Sequence, residues 1–220
     1  MKILFFQTLV AATAAAVVSL PAAAADTHRT VASHRPDAVY VAHLSPLNTT
    51  VTGQAATGEA RFRIKGDRLT ITVRAQGAAP NIIHWQHLHG FTDARSAACP
   101  TDAADANGDG IIDLMETAPM AQVTMVPLHD DPVSMEIPRD TYPKASAKGT
   151  LQYRKTVSLS ALQEAFAKAF AGQKLDLDRR VLMMHGVPSA TKLPASVASL
   201  GTIPAQVTLP IACGKLTRLK

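Results

Sequence analysis

Hydrophobic and polar positions alternate along most of this chain with a period of two. Within 67–77, Leu69, Ile71 and Val73 alternate with Thr70 and Thr72, and the segments VYVAHL at 39–44 and GEARFRI at 58–64 are patterned as strands too. Successive strand side chains point to opposite faces, so this pattern predicts antiparallel strands with one buried face. Lys65-Gly66-Asp67 predicts a hairpin turn between two of them. Further strands are predicted over 82–90, 122–128, 134–137, 151–157, 180–185 and 203–216. One segment, 159–171, has the helical period instead. There Leu162, Ala165, Phe166, Ala169 and Phe170 share a face, Ser160 and Gln163 are expected to form a capping box, and Gly172 ends the helix. Residues 188–202, rich in Ser, Ala and Pro, predict a long exposed loop. Several short strands with one covering helix predict a mainly β fold, a β-sandwich, and no internal repeat is evident.

The first 25 residues break this pattern. Lys2 is followed by an apolar, Ala-rich run at 3–20, then Pro21 and the small residues 22–25, which predicts a signal peptide cleaved after Ala24 or Ala25. The mature chain is therefore expected to be periplasmic or secreted, with no membrane attachment after cleavage. Residues 26–38 are polar and aperiodic, a flexible leader in which His28 and His34 are read as solvent residues. Residues 39–220 are expected to form the single domain. Loss of Lys2 lowers the net charge from +5 to +4. Lys and Arg look scattered, with no run longer than Arg179-Arg180, so the basic balance is read as solvated surface and no nucleic-acid partner is expected. The even cysteine count, Cys99 and Cys213, predicts one disulfide in an oxidising compartment, tying the histidine region to the C-terminus. No protein partner is specified.

The candidate chemistry lies in 84–116. Strand parity puts Trp85, His87 and His89 on one face and His84, Gln86 and Leu88 on the other. A single strand histidine is ordinarily a hydrogen-bonded spectator, but two imidazoles in register can share a transition metal. Downstream, Asp105, Asn107 and Asp109 occupy positions 1, 3 and 5 of a twelve-residue loop. Gly110 takes the sharp turn, Ile111 offers its carbonyl at position 7, Ile112 is the apolar position 8, Asp113 stands at 9 and Glu116 at 12. This spacing is that of an EF-hand calcium loop. Pro100 lies where an entering helix would be, so the loop reads as an insertion in another fold, with a weak affinity on the order of 10⁻⁴ M and a structural role. Met183 and Met184 beside His185, with Met115, Met120 and Met125, are either thioether donors or core packing, and packing is the more ordinary reading.

Three motifs together resemble the copper/zinc superoxide dismutases. His84-Trp-Gln-His87-Leu-His89-Gly90-Phe91 followed by Cys99 is similar to their strand that carries two copper histidines and runs into the disulfide loop. Arg180-Val-Leu-Met-Met-His185 resembles their later strand with another copper histidine, and Ile211-Ala-Cys213-Gly214 resembles their C-terminal cysteine motif. Residues 56–62 with 66–73 are also similar to the opening of CHRD (chordin-type) domains, which share a related sandwich. The resemblance implies a Greek-key, immunoglobulin-like sandwich of the dismutase type, copper ligation by His87, His89 and His185, a structural role for His84 and pairing of Cys99 with Cys213. It departs from the family at Pro210, where a guiding arginine is expected, and in lacking the zinc-site cluster. The bridging histidine could be only His129. The expected function is that of an exported metal-binding protein holding calcium in the loop and copper at the histidines. The alternatives are a copper-only superoxide dismutase and a CHRD-like module that binds calcium alone.

Overall fold

In the computed structural model, residues 37–93 and 95–220 are described. The expected signal peptide, His28, His34 and nearly all of the expected leader lie outside the described residues. Strands β1 (Ala38–Pro46), β2 (Thr57–Lys65), β3 (Arg68–Gln76) and β6 (Leu151–Ser158) pair in sequence, all antiparallel. The turn between Lys65 and Arg68 is the expected hairpin, with Gly66 at φ 56, a conformation that suits glycine. The last residues of β1 pair instead with β8 (Pro210–Lys215), which continues through β7 (Val181–His185) and β4 (Gln86–Gly90) to β5 (Val123–Pro127). A short β9 (Thr217–Arg218) returns to β1. The strand order is therefore β5-β4-β7-β8-β1-β2-β3-β6.

The two halves bury their apolar faces in one core. Phe62, Leu69, Ile71 and Val73 from β2 and β3 share it with Leu88, Met125, Leu182, Met184 and Ile211 from the other half. In β2 and β3 the alternation read from the sequence allows this, because every second residue reaches the shared core, whereas β4 and β7 are buried at every position. The result is mainly antiparallel β, as expected. A second, smaller cluster of Phe91, Ala97, Ala121, Val181, Met183 and Cys213 lies apart from that core.

Several local expectations differ from the structure. The covering helix α3 (Leu159–Ala169) starts one residue after Ser158, whose hydroxyl accepts the Ala161 N–H at 3.1 Å. Ser160 is already inside the first turn and bonds Asp67 instead, so Ser158 caps the helix and not Ser160. Residues 134–137 form no strand, because Pro132–Ser134 is a 3-10 turn. In 82–90 the strand is confined to Gln86–Gly90, and 203–216 divides into the one-turn helix α4 (Ala205–Thr208) and β8. Two further helices, α1 (Thr49–Thr52) and α2 (Leu114–Ala121), join α3 and α4. No helix among the described residues is long and apolar enough to cross a membrane.

Candidate metal centre

Residues 181–184 of β7 pair antiparallel with β4, setting Met183 opposite His87 and Val181 opposite His89. By strand parity Val181, Met183 and His185 share a face, and so do His87 and His89. His185 lies two residues beyond Met183, and its N–H bonds the Trp85 carbonyl at 2.7 Å. The three imidazoles therefore converge. Their centroids lie 5.3, 5.4 and 5.8 Å apart, and one ring nitrogen from each falls within 4.8 Å of the others. Among the described residues this is the one group of three or more His, Cys, Asp or Glu side chains with donors gathered in this way.

The rings are nearly sealed, with 2 to 3 % of each residue exposed. His185 donates from Nδ1 to the Thr208 carbonyl at 2.8 Å, which leaves Nε2 as an acceptor with no partner. His89 Nε2 and both nitrogens of His87 are likewise buried without a partner. Buried polar atoms are nearly always hydrogen-bonded, so three rings that each hold an unpartnered buried nitrogen and gather one nitrogen apiece call for a ligand. Burial, and then the neighbouring histidines, hold His87 and His89 well below the usual imidazole range, and burial holds His185 at about 4. All three are neutral near pH 7, the form that ligates metals.

His84 points elsewhere. Its nitrogens lie 2.9 Å from the Ala79 carbonyl and 3.1 Å from that of His185, so it fastens the backbone beside the cluster. The structure does not bring His129 into the group. Its Nε2 donates to the Glu136 carbonyl at 2.7 Å and its Nδ1 accepts the Asp131 N–H at 3.0 Å, so neither nitrogen is left for a metal. Tyr142 packs against both His129 and His87, at 5.0 and 5.2 Å, and stacks on Trp85. Sequence reasoning missed Tyr142 and Thr208, and no local pattern marks either one. Met184 and Met125 are core residues, Met115 is largely exposed, and Met183 packs with Cys213. Cys99 and Cys213 form a disulfide across 114 residues, and Cys213 pairs with Met183 on β7, one strand from β4.

The acidic loop has a different construction. A 3-10 turn at Asp102–Ala104 precedes it and α2 follows, so an entering helix is absent, as expected. Gly108 and Gly110 take φ of 74 and 80. Asp105 accepts the N–H groups of Gly108, Asp109 and Gly110, while Glu116 folds back onto those of Ala106, Asn107 and Asp113. Asn107 accepts from Asp109 and Asp109 from Ile111. Asp113 caps α2 and also accepts the Ala198 N–H, and Asp109 accepts the Ser196 hydroxyl. The carboxylates expected as ligands from the spacing bond protein donors, and among the described residues they are not gathered on one point as the three histidine nitrogens are.

An antiparallel β protein with a buried three-histidine cluster is the class that fold and site define. No family model matches the chain, and no curated protein does. Among solved structures it is similar to a Cu/Zn superoxide dismutase from Brucella abortus, at 16% identity and a TM-score of 0.39 over 81% of this chain and 99% of that one.

Proposed function

We propose that this chain is an exported metal-binding protein that holds copper at His87, His89 and His185 and calcium in the loop 105–116. The observation that carries the copper reading is the convergence of buried, unpartnered imidazole nitrogens. Imidazole suits copper, and the motif resemblance to the dismutases favours copper over zinc. The donor set is neutral, so the full charge of the ion would sit in a nearly dry site. Desolvating a divalent ion there costs more than desolvating a monovalent one, and reduced copper is favoured. Calcium is supported by the ligand spacing and by the two positive-φ glycines that let the loop wrap. Export is supported by the sequence of residues 1–25 and by the disulfide.

Metal analysis of the full chain, expressed with its leader and recovered from the periplasm, tests both halves. A single copper per chain that disappears in His87→Ala, and calcium uptake on titration into the millimolar range that disappears in Glu116→Gln, are the expected results. Copper retained by His87→Ala would remove the histidine assignment. No calcium uptake by the unmodified chain in millimolar calcium would remove the loop assignment and leave the histidine one standing. Rapid removal of superoxide by the copper-loaded chain would assign redox turnover to the centre; with Pro210 where the family places its guiding arginine, slow turnover is expected.

A further inference from the structure

The outward faces of β2, β3 and β6 gather charges that are far apart in the sequence. Alternation sends Arg61, Arg63 and Lys65 outward from β2, Arg68 and Arg74 from β3, and Arg154 from β6. Pairing places Thr72 between Arg61 and Arg154, and Thr70 between Arg63 and Thr156. Across these three strands Glu59 is the one carboxylate, and Arg61 already holds it at 2.6 Å. Asp67, in the turn at one end, bonds Ser158 and Ser160. Five of the six cations, with Thr70 and Thr72, line a groove of about 650 Å³.

We propose that this face binds a linear polysaccharide carrying sulfate or phosphate groups. Outward residues of one strand recur every ~6.6 to 6.8 Å, so Arg61, Arg63 and Lys65 form a row of positive charge. A groove of this kind follows a chain of regularly spaced anions. Guanidinium groups bind sulfate and phosphate through paired N–H donors, and the threonine hydroxyls add further donors. Among the described residues this face carries no aromatic side chain on which nucleic-acid bases could stack. Leu219, 48% exposed at the groove margin, is too little apolar surface to enter a bilayer. The disulfide fits an oxidising exterior, where anionic polysaccharides are abundant.

Calorimetric titration of the full chain with a heparin oligosaccharide in 150 mM NaCl tests this. The variant Arg61→Gln/Arg63→Gln/Arg154→Gln is compared with Lys148→Gln/Lys168→Gln/Lys192→Gln, which removes the same charge from exposed positions elsewhere. The expected result is a loss of about tenfold or more in affinity for the first variant and less than about twofold for the second, because local charge outweighs net charge at this ionic strength. Equal losses in the two variants, or no binding of the oligosaccharide, would overturn the proposal. It would also fall if a DNA duplex or a phosphatidylglycerol vesicle bound the same face more tightly than the oligosaccharide. Both variants change only exposed side chains, so unchanged thermal unfolding is expected and separates lost binding from lost folding.

Discussion

At the scale of single residues, the centre depends on histidines that lose their water on folding. Burial lowers His185 to about 4, against an ordinary value near 6.5 in the unfolded chain. Between these values the unfolded state binds more protons, so stability is intact above pH 6.5 and is lost as the pH falls toward 4. His185 alone accounts for roughly 3 kcal/mol across that window, and His87 and His89 act in the same direction. Urea unfolding of the metal-free chain at pH 7 and pH 4.5 reads the effect directly, and a flat profile would mean that these rings are not buried and neutral. Little of this was legible locally. Period-two parity put His87 and His89 on one face, but no pattern near His129 foretold that backbone groups of Asp131 and Glu136 would occupy both its nitrogens.

At the scale of elements, position 8 of the acidic loop is held from outside by one side chain. Asn48, at φ 57 ahead of α1, donates from Nδ2 to the carbonyls of Ile112 and Pro210 at 2.9 Å each, and its Oδ1 accepts the Ile112 N–H at 2.8 Å. Both backbone groups of loop position 8 are therefore satisfied by one carboxamide, which also grips the start of β8. Asn48→Ala leaves three groups without that partner and puts alanine in a left-handed conformation that asparagine tolerates better. A loss of about 2 to 4 kcal/mol is expected in urea unfolding. A loss below about 0.5 kcal/mol would show that water replaces the carboxamide at no cost. The loop spacing was legible in the sequence because its turn chemistry is local. The segment 188–202, expected to be exposed, docks on the loop through Ser196 and Ala198. That contact joins residues more than eighty positions apart, beyond the reach of any local pattern.

At the scale of the whole molecule, the disulfide closes most of the domain on itself. Cys99 and Cys213 are separated by 114 residues, and a loop of that length restricts the unfolded chain by about 4 to 5 kcal/mol. Cys99→Ser/Cys213→Ser is expected to lose most of that stability in denaturant titration, and equal midpoints for the two proteins would place the stability elsewhere. The loss should be accompanied by weaker metal retention, since Cys213 pairs with Met183, and Met183 with His87.

The sequence by itself determined which residues share a face of a strand, because strand parity is set by the covalent geometry of neighbouring residues. It also determined the acidic loop spacing and the single pairing open to two cysteines. The tertiary structure alone decided what those faces meet. The order β4-β7 brings His185 to two histidines about a hundred residues away, and the order β2-β3-β6 makes one basic groove of arginines that look scattered along the chain. Strand order is a property of non-local pairing, fixed by how the apolar faces fill one core, and no local periodicity encodes it.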